Sequence, residues 1–192
     1  VIRIGAQLLE ISSGKQIWGE RYDGNIDEIF TLQDQVLKKI VAVLEVKLTD
    51  KEEVNLTRRF TNSVEAYDFF LKARREFDRV SFAGNQASKA LFDQAIEADP
   101  NFADAYAYYA WSYARDYFFE WVSDPESALK KSNDLIQKAI EKNSRSNAVN
   151  MIYGLIMVYQ GKHTEAVAAV EKAIVLNPNH ADSHAMLAFI LN

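Results

Sequence analysis

Three stretches of the chain read almost alike: AIEADPNFADAY from Ala95 to Tyr106, AIEKNSRSNAVN from Ala139 to Asn150, and AIVLNPNHADSH from Ala173 to His184. Each starts with Ala-Ile at the end of one helical pattern, passes through a polar turn and opens a second helical pattern. The second and third copies are offset by 34 residues and the first and second by 44. A recurring helix–turn–helix unit cannot bury its apolar face alone, so it must stack on its neighbours. The extra residues of the longer offset fall at about Asp116 to Ser127. There Asp124, Pro125 and Glu126 read as an N-cap, a first-turn proline and an acidic first turn. The insertion therefore lengthens the end of one helix and its loop, and leaves the next helix intact.

The spacing inside each unit has a physical reason. In the second helix a small residue is followed four positions on by a large one and three later by a small one. Ser88, Phe92 and Ala95 do this, as do Ser132, Ile136 and Ala139, and Ala166, Val170 and Ala173. In the first helix large residues flank a small one: Tyr106, Tyr109, Ala110 and Tyr113, then Tyr153, Gly154 and Met157, then Leu187, Ala188 and Leu191. Small positions let two helices cross closely, and the large neighbours fill the gaps beside the crossing. Pro100 and Pro178 set the turn into the next unit, and Gly161 reads as a helix C-terminal stop. An earlier, irregular unit opens with a helix from about Ser63 to Arg79. Its apolar stripe is Tyr67, Phe70, Leu71, Arg74 and Phe77, and Ala73 is its small position.

The period and the small-residue positions from Ala95 to Asn192 resemble the tetratricopeptide repeat. The expected fold is mainly α: a helix–turn–helix solenoid over residues 61–192, with repeats at about 61–102, 103–146 and 147–180 and a partial one at 181–192. The apolar ending at Phe189, Ile190 and Leu191 leads us to expect further repeats downstream, because solenoid ends are normally polar.

The first 60 residues read differently. Four of the seven Gly are Gly5, Gly14, Gly19 and Gly24. Ile2, Ile4, Ala6 and Leu8 alternate with Arg3, Gly5 and Gln7, which predicts a strand with one buried face. The turn ISSGK, Ile11 to Lys15, leads to a second strand over Gln16 to Tyr22 with Trp18, Glu20 and Tyr22 on one face. A helical period follows from Asp27 to Leu48, with Thr31 and Asp34 placed to start it. The segment QLLEISSGKQIWGERYDGNIDEIFTLQDQV, Gln7 to Val36, resembles the end of a TolB-amino-terminal-like α+β domain. That resemblance implies earlier strands upstream of Val1. It also implies a bacterial signalling setting, because such domains precede tetratricopeptide repeats and often follow a class III adenylate or guanylate cyclase domain or a winged-helix domain. A hairpin of this kind leaves an unpaired strand edge, expected to pair with a second copy or to dock on the helical part.

Composition sets the remaining bounds. The chain has 192 residues with only 7 Gly and 3 Pro, too few turn-makers for an all-β fold. Net charge is −5, and the densest basic stretch, Arg58 to Arg79, is interleaved with Glu65, Asp68, Glu76 and Asp78. A mixed solvated helix face is expected there, not a nucleic-acid surface. There is no Cys, which removes disulfides and thiolate chemistry and fits a cytoplasmic setting. No apolar run approaches a membrane span. No P-loop, dinucleotide fingerprint or nucleophile elbow is present, so no cofactor, metal or catalytic residue is expected. His180 and His184 stand one turn apart but at ordinary repeat positions, and a structural role is expected for both.

The functional expectation is therefore a non-catalytic scaffold for protein interaction. In the repeat family the first helix of each unit lines the concave surface. That register places Trp111, Arg115, Met151, Leu155, Tyr159 and Phe189 on a groove for a peptide or helix. The groove's occupant is either such a partner or the chain's own helix from Ile29 to Leu48. The groove lacks the Asn and Lys set that grips a C-terminal carboxylate. The alternative expectation is a regulatory module of a larger bacterial signalling protein, whose partner is another domain of the same chain.

Overall fold

A computed structural model describes residues 1–44 and 60–191. The predicted helix end at Leu48 and the cations Arg58 and Arg59 lie outside the described residues. The chain divides into two compact units, Val1–Val64 and Glu65–Asn192.

In the first unit β1 (Ile2–Leu9) and β2 (Gln16–Gly24) form an antiparallel hairpin. The register pairs Ile4 with Tyr22 and Leu8 with Trp18. The turn closes through Gly14, whose φ of +67° is the left-handed conformation that glycine takes without strain. A 3-10 turn (Ile26–Glu28) leads into α1 (Ile29–Val43), which packs on the strands. Neither Thr31 nor Asp34 starts this helix. Instead the Glu28 carboxylate accepts a hydrogen bond from the Asn25 backbone N–H, 2.9 Å away, so the entry is fixed before the first turn. Gly24 has no side chain because Leu32, buried on α1, occupies that space: a Cβ would lie 2.8 Å from Leu32 Cδ1.

The second unit is helical throughout: α2 (Val64–Phe77), α3 (Phe82–Ala98), α4 (Ala103–Phe118), α5 (Pro125–Asn143), α6 (Asn147–Tyr159), α7 (His163–Leu176) and α8 (Ala181–Leu191). Pairs are sequential, α4 on α5 and α6 on α7, and α6 also packs on α4, α5 and α8. The small positions are where the sequence requires them. Ala66, Ala73, Ala95, Ala110, Ala139, Ala166 and Ala173 expose no surface at all. Large side chains fill the spaces beside them: Phe77, Phe92, Phe102, Ile136, Ile152 and Val170 are fully buried. Each contributes roughly 1.5–3 kcal/mol by leaving water.

Helix ends follow local chemistry. Asp124 caps α5 by accepting from the Ser127 N–H at 3.0 Å, with Pro125 in the first turn. Gly161, at φ +73°, closes α6. Lys162 N–H returns to Met157 O and Gly161 N–H to Val158 O, both at 2.9 Å, which is the Schellman pattern. The same pattern closes α4: Trp121 N–H to Asp116 O and Glu120 N–H to Tyr117 O. Here Glu120, at φ +52°, stands in the position glycine usually holds.

Polar groups inside the helical unit are tied between elements. Asp116 is fully buried and takes Lys89 Nζ at 2.6 Å and Asn85 Nδ2 at 2.8 Å. Ser132 on α5 donates to Ala110 O on α4 at 2.7 Å. Ser146 meets Asp104 at 2.6 Å. The basic stretch pairs with its interleaved acids, as Lys72–Asp68, Arg74–Asp78 and Arg79–Glu76 along or just past α2, with Lys72 in solvent and Arg74 turned inward.

The α6–α7 crossing gives a direct test of the packing. A Cβ on Gly154 would lie 2.5 Å from Val170 Cγ2 and 3.0 Å from Ala166 O. Gly154→Ala is expected to destabilise the helical unit by about 1–3 kcal/mol in urea unfolding, despite its better helix propensity. Adding Val170→Ala should recover less than the clash costs, because it also leaves a void.

Candidate functional site

The site is built on α4. Tyr108, Trp111 and Arg115 follow one another at i, i+3 and i+7, so they form a stripe along one side of the helix. Tyr108 is buried, and its ring lies 5.8 Å from that of Trp111 with the planes only 27° apart. Phe77, from the last turn of α2, meets both edge-on, at 5.9 Å from Tyr108 and 5.1 Å from Trp111. Such tilted and offset pairs are favourable beyond their buried area.

Two arginines lie on these rings. The Arg74 guanidinium carbon is 4.0 Å from the Tyr108 centroid. That of Arg115 is 3.3 Å from the Phe77 centroid and 5.4 Å from that of Trp111. Each is a cation over an aromatic face, an attraction that grows as water is excluded. Arg115 Nη1 also donates to Phe77 O, a carbonyl at the open end of α2 where a cation complements the helix dipole. Arg74 reaches Asp78 at 3.7 Å, and its Nε is buried without an acceptor.

The titration behaviour follows from this crowding. Burial pulls Arg115 down to about 10, while Asp78 and Tyr159 hold the proton on and Arg74 works against it. Arg115 is thus still a cation at neutral pH. Burial pushes the Tyr108 hydroxyl up to about 12, against the pull of Arg74. Tyr159 is also pushed up to about 12 by burial, with Arg115 opposing. These groups have no nucleophile or general base among them. The arrangement can hold flat apolar groups against rings and an anion against guanidinium donors.

The expected groove residues divide into three groups. Trp111, Arg115 and Tyr159 are half-buried, and Tyr159 stacks on Phe118 at 5.4 Å and meets Tyr117 at 5.8 Å. Met151 exposes no surface and Leu155 almost none. Both belong to the interior, because α6 is packed by α4, α5, α7 and α8 and has no free face at those positions. Phe189 is exposed on α8, and among the described residues no ring contact joins it to Trp111 or Tyr159. Arg74 and Tyr108 were not expected in the site. Their signals were an arginine inside the apolar stripe of α2 and the i, i+3 spacing of Tyr108 to Trp111. Tyr106, Tyr109 and Tyr113, read as the packed face of α4, are only half-buried, and Tyr108 is the deeper ring.

Among the described residues no cluster of three or more His, Asp or Glu could hold a metal. His180 pairs with Ser183 Oγ at 2.9 Å and His184 with Pro178 O at 2.8 Å, which secures the start of α8. No helix of the described residues is long and apolar enough to cross a membrane.

Residues 91–131 match the family model described as tetratricopeptide repeat. The chain is 30% identical over 165 residues to the protein named Putative adenylate cyclase 3 in Rhizobium meliloti (strain 1021). That match takes in 86% of this chain but only 28% of the relative's length. Two solved structures share the fold. The first tetratricopeptide repeat domain of Spaghetti (RPAP3), bound to the HSP90 peptide SRMEEVD, superposes with a TM-score of 0.51 at 17% identity, covering 67% of this chain and 92% of that one. The Arabidopsis OM64 tetratricopeptide repeat domain superposes with a TM-score of 0.51 at 13% identity, covering 68% and 97%. The helical unit of this chain thus shares the fold of tetratricopeptide repeat domains, and its residues 91–131 match that repeat's family model.

Proposed function

We propose that the chain is a protein-interaction scaffold that binds a peptide or helix on the first-helix face of the array. The observation that carries this is the stack of Phe77, Tyr108 and Trp111 overlaid by Arg74 and Arg115. It is a rigid, partly exposed aromatic surface with two cations whose donors are not all used. Aromatic and arginine side chains of this kind dominate interface energetics. The peptide seated on the Spaghetti domain supports the reading, since that array has the same fold. The accessible part of the proposed site is Trp111, Arg115, Tyr159 and Arg74.

A second reading has its own support. The relative in Rhizobium meliloti carries the name of an adenylate cyclase, and this chain spans about a quarter of it. On that reading the array is a regulatory module and its partner is another domain of the same polypeptide. The sequence adjoining this chain in its gene decides between them: a cyclase or winged-helix domain favours regulation, and the absence of both favours a free-standing scaffold. The hairpin edge belongs to the same question, as a site for a second copy or for adjoining strands.

Selection of a phage-displayed peptide library on the native chain tests the scaffold reading. Peptides so obtained are expected to bind Trp111→Ala and Tyr159→Ala about tenfold or more weakly in isothermal titration. Unchanged affinity in both variants removes the site assignment. Size-exclusion chromatography over a hundredfold range of concentration tests the hairpin edge. Pairing between copies should shift elution toward a dimer at the high end, whereas a constant monomer counts against it.

A further inference from the structure

The ten-residue lengthening between the first and second copies does more than extend a loop. Asp116 is locked inside the unit by Lys89 and Asn85. The residues just after it turn outward through the left-handed Glu120. The outcome is a ledge of aromatic rings at the junctions where the first helix of a repeat hands over to the second. Phe119 stacks on Trp121 at 4.7 Å, and Phe118 meets Phe119 edge-on at 5.0 Å. Phe82, at the start of α3, meets Trp121 at 6.2 Å, and Phe118 continues to Tyr159 on α6. Phe82, Phe118 and Phe119 are 51%, 52% and 43% exposed. Three rings left in water side by side are a contiguous apolar patch, which a folded surface rarely keeps without a use.

The charge beside the ledge says what would cover it. Arg115 reaches Tyr159 through its field and grips Phe77 O with one nitrogen. Among the described residues it forms no ion pair, and Asp78, the carboxylate whose field acts on it, is paired with Arg74. A guanidinium has five donors in a fork that matches a carboxylate. In this half-buried setting Arg115 shares the field of Asp78 with Arg74 and has donors left over beside the one given to Phe77 O.

We propose that the ledge formed by Phe82, Phe118, Phe119 and Trp121 docks an acidic segment rich in aromatic or aliphatic side chains, one carboxylate of which is held by Arg115. The ledge rests on the groove reading only through Arg115 and Tyr159, which both surfaces share. The apolar side chains of the segment cover the rings, and its carboxylate supplies the direct ion pair that Arg115 does not form among the described residues. Segments of alternating acidic and aromatic residues fit this chemistry; basic ones do not.

Fluorescence anisotropy with a labelled synthetic peptide of alternating Glu and Phe tests the proposal, beside counterparts carrying Gln for Glu or Ala for Phe. The Glu–Phe peptide should bind, and either counterpart should bind about tenfold more weakly. Phe119→Ser and Trp121→Ala should lower affinity by a similar factor, with far-UV circular dichroism showing that each variant keeps its helical content. In Arg115→Gln the Glu and Gln peptides should bind alike, a coupling that a purely structural role for Arg115 does not produce. If Trp111→Ala weakens binding while the two ledge variants do not, the groove stands and the ledge falls. The reverse result keeps the ledge and removes the groove. A Glu–Phe peptide that binds no better than its Gln counterpart overturns the proposal. So does a dimer seen by sedimentation velocity and abolished by Phe119→Ser, because the occupant would then be a second copy.

Discussion

The helical unit depends on how closely its helices cross. Ala95, Ala139 and Ala173 are fully buried near the ends of their helices, and where Gly154 faces Val170 there is no space for another carbon. Interiors packed at this density transmit any added volume into backbone shifts. The aromatic residues are placed by the same constraint. They cannot enter the crossings, so they fill the gaps beside them, and Phe70, Phe77, Phe92, Phe102 and Tyr108 gather into one cluster at the first junction. The outer members of that cluster, Trp111 and the two arginines, are thereby fixed on a rigid base. A surface held this way has little conformational freedom left to lose on contact with another molecule.

Polar pairing divides the unit into two kinds of region. Between α3 and α4, and between α4 and α5, buried groups find partners within the chain: Lys89 with Asp116, Ser132 with Ala110 O. Breaking such a pair from one side leaves a buried charge or donor and is costly. On the face of α4 that carries Trp111 the pairing is incomplete. Arg74 keeps an unused Nε and Arg115 forms no ion pair among the described residues. Pairing is incomplete in the α3–α4 network as well, where Asn85 Oδ1 is buried without a partner although Asn85 Nδ2 bonds Asp116.

Much of this was legible from residue spacing alone. The 34-residue offset, the small positions, the cap at Asp124 and the stop at Gly161 each rest on short-range rules of helix geometry, and short-range rules can be read along a chain. The candidate site was only partly legible. The helical register put Met151 and Leu155 in line with Trp111, but register does not say how many neighbours a helix has, and α6 has four. Arg74 was read as one member of an apolar stripe, and its seat over Tyr108 depends on how α2 meets α4 in space. The lengthened loop was visible as extra residues. That it turns Phe118 and Phe119 into water was not, because the left-handed turn falls on Glu120 and not on a glycine.

The most direct measurement is amide hydrogen exchange of the native chain, with and without a peptide selected against it. Slowing confined to residues 74–80, 108–121 and 155–161 is the expected footprint, since these segments carry Arg74, Trp111, Arg115, the ledge and Tyr159. Slowing confined to the hairpin, or to α5 and α7 alone, would contradict recognition on the first-helix face of the array.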